Sequence, residues 1–166
     1  MKKVEVFISG SCHYHSSVGD AAYGLVLTID GETVFTKAEG FTNITNGRAD
    51  IIGLIEGLKN VPDERDVVFY LSNGYVLDTL NKGWLQNWKT IGFKKKKHAD
   101  LWQEVDKLLS GISNRIFFRH SREAGFNAGY KLAEQKAKSL SKKLQLQNPI
   151  TTKPYKSEQN CLYGLL

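Results

Sequence analysis

The sequence predicts an α/β domain on a five-stranded mixed sheet, three antiparallel strands followed by two parallel ones, with helices on both faces. Three observations carry this expectation. Alternating, β-branched and aromatic runs fill residues 4–38, two further short apolar runs come later in the chain, and amphipathic stretches of helical spacing lie between and after them. Strand, helix and strand in that order make crossover units that lay helices on a sheet.

The elements follow in order. Residues 4–7 bring apolar side chains together around Glu5 and lead into Gly10-Ser11-Cys12, read as a buried strand ending in a glycine-containing turn. Residues 21–29 and 32–38 flank Asp30-Gly31, a strong two-residue hairpin signal. Thr45 or Asn46 can cap a helix whose apolar positions Ile51, Ile52, Leu54, Ile55 and Leu58 recur at helical spacing, with Pro62 beyond its end. Residues 67–71 (VVFYL) read as a strand buried on both faces, and Ser72 or Asn73 then caps a short helix through Leu80. Residues 82–97 mix Trp84, Trp88 and Phe93 with lysines and belong to a helical section between strands four and five. An amphipathic segment over 100–109, a fifth strand over 115–119 and a Lys-rich helix over 127–144 complete the domain. We divide the chain into a domain of residues 1–146 and a tail of residues 147–166, whose apolar end from Leu162 to Leu166 is expected to dock on the domain or on a protein partner.

A chain of 166 residues with 41% hydrophobic and 24% charged residues buries one good core and is too short for two ordinary domains. Its net charge of +6 is unevenly distributed. Residues 1–88 hold 7 basic and 11 acidic side chains, and residues 89–166 hold 16 and 6, giving −4 and +10. A basic half inside one domain points to a positive face, whose usual partners are polyanions; the alternative is a solvated surface. Cys12 and Cys161 are too few and too far apart to form a disulfide framework and are expected to be free thiols. The N-terminal pattern is that of a strand instead of a signal peptide, and no apolar run approaches a membrane span, so a soluble cytoplasmic protein with no membrane partner is expected.

Several strings then align in order with one family. VEVFISGSC, AAYGLVL, TNGRAD at the start of the first helix, VVFYLSNGYV, the W-x-x-x-W segment with its lysines followed by ADLW, and His120 ahead of the last helix resemble type 1 ribonuclease H over roughly residues 1–145. The resemblance implies the ribonuclease H-like fold and cleavage of the RNA strand of RNA/DNA hybrids. It also implies four carboxylates holding two Mg²⁺ ions about 3.5–4 Å apart, one activating water and the other stabilising the leaving oxygen.

At the matching positions the family's D-G-S string reads Ser9-Gly10-Ser11. The helix Glu reads Asp50, the Asp after strand four reads Ser72, and the last Asp falls on Tyr130. Neutral hydroxyls are weak Mg²⁺ ligands, so no bound metal is expected, Asp50 is the only remnant ligand, and no catalytic residue is assigned. Mg²⁺ or Mn²⁺ is expected only if residual activity exists.

The resemblance also implies nucleic-acid contacts. Thr45 and Asn46 match a polar pair that approaches the hybrid backbone, with helix capping as the alternative. Trp84, Trp88, Lys94, Lys95, Lys96 and Lys97 match a basic protrusion that grips the DNA strand, and Lys89, Gly10 and Cys12 are also expected to contact nucleic acid. Trp88 and Trp102 are expected in the core and Trp84 in mixed duty. Lys107, Arg115, Arg119 and Arg122, with Lys131, Lys136, Lys138, Lys142 and Lys143 of the last helix, extend a phosphate-tracking surface. His120 matches a histidine that assists product release, with a solvent-facing loop histidine as the alternative.

The leading expectation is a ribonuclease H-like protein that binds RNA/DNA hybrid or double-stranded RNA without efficient cleavage. The alternatives are a residual or altered metal-dependent endonuclease acting on the RNA strand of hybrids, and a structural protein-interaction module on the same scaffold.

Overall fold

The computed structural model describes residues 3–14, 19–63, 65–125 and 127–147. The expected tail with Cys161 lies outside the described residues. Strands β1 (Val4–Tyr14), β2 (Gly19–Ile29) and β3 (Glu32–Ile44) are followed by helix α1 (Asn46–Lys59) and strand β4 (Val67–Leu71). Helices α2 (Gly74–Asn81), α3 (Trp84–Thr90) and α4 (Ala99–Gly111) then lead to β5 (Ile116–His120), a 3₁₀ turn at Ser121–Ala124 and helix α5 (Ala128–Gln147). The strands lie in the order β3-β2-β1-β4-β5. β1 runs antiparallel to β2 and parallel to β4, and β5 is parallel to β4. This is the predicted mixed sheet.

Alternation along β1 sorts the core into two layers. Val4, Val6 and Ile8 pack with Leu25 and Leu27 of β2, Phe69 and Leu71 of β4, Ile51, Leu54 and Leu58 of α1, and Trp102 and Val105 of α4. On the opposite face Phe7, Val26 and Tyr70 meet Ala133 of α5. The Phe7 and Tyr70 rings stack with centroids 5.2 Å apart. At Gly24 a Cβ would fall 2.0 Å from the Ala133 carbonyl oxygen, so a residue with no side chain is what lets α5 lie directly on β2. Ser141 of α5 donates to the Ser11 hydroxyl at 2.9 Å, fixing the helix lengthwise on β1.

Two sequence expectations need correction. The turn expected at Gly10-Ser11-Cys12 is strand: Gly10, Ser11 and Cys12 pair with Tyr23, Ala22 and Ala21. Glycine here serves a close approach of side chains from α1, described below, instead of a reversal of the chain. β3 likewise runs on to Ile44, past the expected limit at residue 38. Residues 82–97, part of the expected helical section, contain α3: Gly83 at φ 76° breaks the helical path after α2, and the Trp84/Trp88 pair sits at the i, i+4 spacing of one helix face.

Candidate functional site

The parallel pairing of β1 with β4 and of β4 with β5 ends at one level, midway along β1, at Ile8, Leu71 and His120. Ile8 pairs with Leu71 and Leu71 with His120, so Ser9 and Ser72 follow directly on neighbouring parallel strands. Beyond this level, on the α5 side, opens a cleft of about 500 Å³ lined by Ser9, Ser72, His120, Arg122, Tyr130, Glu134 and Lys138 among others. Ser9 forms its buried floor at 3% exposure. Tyr130, Glu134 and Lys138 come from successive turns of one face of α5, because residues four apart on a helix lie above one another.

Asp50 is on the other side of Gly10. A Cβ at Gly10 would fall 2.0 Å from Asp50 Oδ1 and 2.8 Å from Asn46 Oδ1, so both side chains of α1 press on the bare backbone of β1. The Asn73 amide oxygen accepts from the N–H groups of Tyr75 and Val76, capping α2, which turns its NH₂ group toward Asp50 Oδ2 at 3.0 Å. One asparagine therefore ties the start of α2 to α1. Burial opposes ionisation of Asp50 and outweighs the Asn73 bond, pushing its pKa up to about 7.

His120 ends β5 and caps the 3₁₀ turn: its Nδ1 accepts from Arg122 N–H at 3.1 Å, and its own N–H donates to Glu123 Oε2 at 2.9 Å. Burial, with the positive charge of Arg122 as a lesser cause, lowers its pKa. With Nδ1 accepting, the neutral imidazole carries its proton on Nε2. Around the cleft, Lys138 pairs with Glu134 at 2.8 Å, while the Arg122 guanidinium meets no carboxylate among the described residues. Two cations and one carboxylate leave this lining net positive.

This donor set does not fit a pair of divalent ions, which take hard, preferably anionic oxygens. Among the described residues no group of three or more His, Cys, Asp or Glu side chains is arranged to hold a metal. The family positions Ser9, Ser72 and Tyr130 all line the cleft, as the resemblance implies. The fourth, Asp50, does not line it, because α1 lies on the opposite face of the sheet. Glu134 went unassigned in the sequence, although its place one turn after Tyr130 was the available signal. Asn73 was read only as a possible cap, and its bond to Asp50 has no sequence signature.

Among the expected nucleic-acid contacts, Gly10 borders the cleft, but two side chains turn inward. Cys12 is buried and packed with Ala21 and Ala49, and Asn46 is 1% exposed beneath β1. Both follow from β1 continuing as paired strand, which closes over α1. Thr45 caps α1, its hydroxyl accepting from Arg48 N–H at 3.2 Å. Trp88 and Trp102 are core, 9% and 0% exposed, whereas half-buried Trp84 packs on Tyr75 and lies under Lys82.

The lysine segment is built outward from that aromatic cluster. Phe93, at φ 59°, is buried and bonds back to the Trp88 carbonyl at 2.8 Å, which turns the following lysines toward solvent. Lys96 lies 5.3 Å from the Trp88 ring centroid, and Lys89 pairs with Asp106 at 3.3 Å. Lys94, Lys95 and Lys97 are exposed. Arg48 of α1 grips Asp100 with two bonds, 3.1 and 2.6 Å, and anchors the segment to the body. His98 beside it is pushed down to about 4 by burial first and Arg48 second, so it is neutral at pH 7.

No helix of the described residues is long and apolar enough to cross a membrane. The family model for RNase H matches residues 1–147. Ribonuclease H of Acetivibrio thermocellus is 30% identical over 152 residues, 86% of this chain and all of that protein. Ribonuclease H of Syntrophus aciditrophicus is 32% identical over 114 residues, 66% of this chain and 64% of that protein. Among solved structures, LC9-RNase H1, a type 1 RNase H with the type 2 active-site motif, superposes with a TM-score of 0.68 at 19% identity, over 86% of this chain and 74% of that one. LC11-RNase H1 in complex with RNA/DNA hybrid gives 0.65 at 18%, over 86% and 99%. The sheet order, the strand pairing and the match over nearly the whole described chain agree: the protein belongs to the RNase H family.

Proposed function

We propose that this protein binds nucleic acid of A-like form, RNA/DNA hybrid in the first place and double-stranded RNA in the second, without efficient cleavage. One observation carries the reading: the cleft between the middle of β1 and the ends of β4 and β5 is lined by Ser9, Ser72, Tyr130, Arg122 and Lys138, where the resemblance implies carboxylates and metal ions. A net positive lining repels divalent cations and favours phosphate. The outward lysines at 94, 95 and 97 and the relative solved with RNA/DNA hybrid support the same partner. Shape and 2′-hydroxyls, the usual basis for reading such helices, require no cleavage centre.

A second reading, residual Mg²⁺- or Mn²⁺-dependent cleavage of the RNA strand, rests on Glu134. With Asp50 it makes two carboxylates on opposite sides of β1. Against this reading stand the Lys138 pairing of Glu134 and the burial of Asp50.

Gel mobility of labelled hybrid at low salt, alongside a cleavage assay with either metal, tests the proposal. It expects a shifted band with intact RNA and an affinity that falls steeply with salt. Unshifted hybrid contradicts the binding, and RNA fragments that vanish on chelation support the second reading.

A further inference from the structure

We infer that the cleft is a direct phosphate site, in which Arg122 and Lys138 receive one backbone phosphodiester of the bound nucleic acid with no metal between them. The inference rests on the binding proposed above and adds the place and the chemistry. Arg122 is exposed, lines the cleft, and makes no ion pair among the described residues, so its planar fork of donors is available to two phosphate oxygens. Lys138 shares its charge with Glu134 at 2.8 Å, an exposed pair that a phosphate can rearrange at little cost.

The neutral groups of the cleft add donors. Ser9, Ser72 and Tyr130 carry hydroxyls, and His120, with Nδ1 engaged by Arg122 N–H, directs its remaining N–H away from that bond. Hydroxyls and cations around a floor formed by Ser9 and Gly10 of β1 form a cradle of donors with a single carboxylate, which suits an oxyanion better than a metal ion. The phosphate replaces no covalent bond and none is broken. The cleft holds the strand at the point where relatives of the family would cut it.

The test is a binding titration of an RNA/DNA hybrid at several salt concentrations, with wild type, Arg122→Ala, Lys138→Ala and, as a separate arm, Lys94→Ala/Lys95→Ala. Each cleft variant is expected to lose about tenfold in affinity. Each should also lower the slope of log affinity against log salt by roughly one. Thermal melts of the variants should match wild type, since both side chains are exposed. Hybrids carrying one neutral methylphosphonate at successive positions then locate the contact. One position should weaken wild type about tenfold and leave Arg122→Ala unaffected.

If wild type and all variants fail to bind hybrid, the underlying binding proposal fails. If wild type binds, the double-lysine variant weakens and both cleft variants bind like wild type with an unchanged slope, the cleft assignment alone is overturned. Affinity that rises with Mg²⁺ and loses that response in Asp50→Asn also overturns it, because a metal then mediates the contact.

Discussion

The two sides of β1 at Gly10 hold opposite chemistry. Toward α1, a carboxylate is sealed from water against bare backbone, bonded to Asn73 and raised to about pKa 7. Toward α5, Arg122, Lys138 and Glu134 face an open cleft above the buried Ser9 hydroxyl. The difference separates what the fold needs from what a ligand meets. Asp50 is a packing and capping partner whose charge is a burden, whereas the cleft residues stabilise little and are free to recognise.

The largest effect belongs to the sealed side. Gly10→Ala places a methyl 2.0 Å from the Asp50 carboxylate, which must move. Urea unfolding should show a loss of ~3 kcal/mol. Roughly half should return in Gly10→Ala/Asp50→Ala; equal losses in the single and double variants would show that the contact is unimportant.

Asp50→Asn comes next and has the opposite sign. The unfolded chain releases the Asp50 proton near 3.8, while the folded protein holds it to about 7. Between those values the folded state binds the extra proton, so Asp50 makes stability fall as pH rises through the window. The variant, with no such proton, should come close to wild type near pH 4 and exceed it by a few kcal/mol at pH 8. A difference independent of pH would place Asp50 in contact with water.

Asn73→Ala removes both the α2 cap and the donor to Asp50, an expected loss of ~1.5 kcal/mol in urea unfolding. The loss should be larger at pH 8 than at pH 5, since the donor favours the ionised carboxylate. On the open side, Ser9→Ala and Ser72→Ala should change stability by no more than ~0.5 kcal/mol. Losses as large as that of Asn73→Ala would erase the contrast between the two sides.

Local patterns made much of this legible. Asp30-Gly31 announced its hairpin and both residues take positive φ, 51° and 84°. The apolar spacing of Ile51, Leu54, Ile55 and Leu58 marks the buried face of α1, and the family resemblance implies that Ser9, Ser72 and Tyr130 share one site. Gly10 misled because a glycine beside serine reads as a turn, whereas its reason lies 40 residues away in Asp50. The inward positions of Cys12 and Asn46 depend on that same strand extension. Glu134 and the dual bonding of Asn73 required the tertiary structure, since their partners come from separate elements. Arg122 and Lys138 were visible as charges but not as neighbours.

The central claim is that the cleft holds nucleic acid without cutting it. The most direct measurement is a single set of reactions in which RNA-labelled hybrid is incubated with the protein in Mg²⁺, in Mn²⁺ and in EDTA, with bound fraction and RNA length read from the same samples. Hybrid retained in EDTA and full-length RNA in all three is the predicted result. Fragments that accumulate with either metal, disappear in EDTA and disappear again in Asp50→Asn would contradict it.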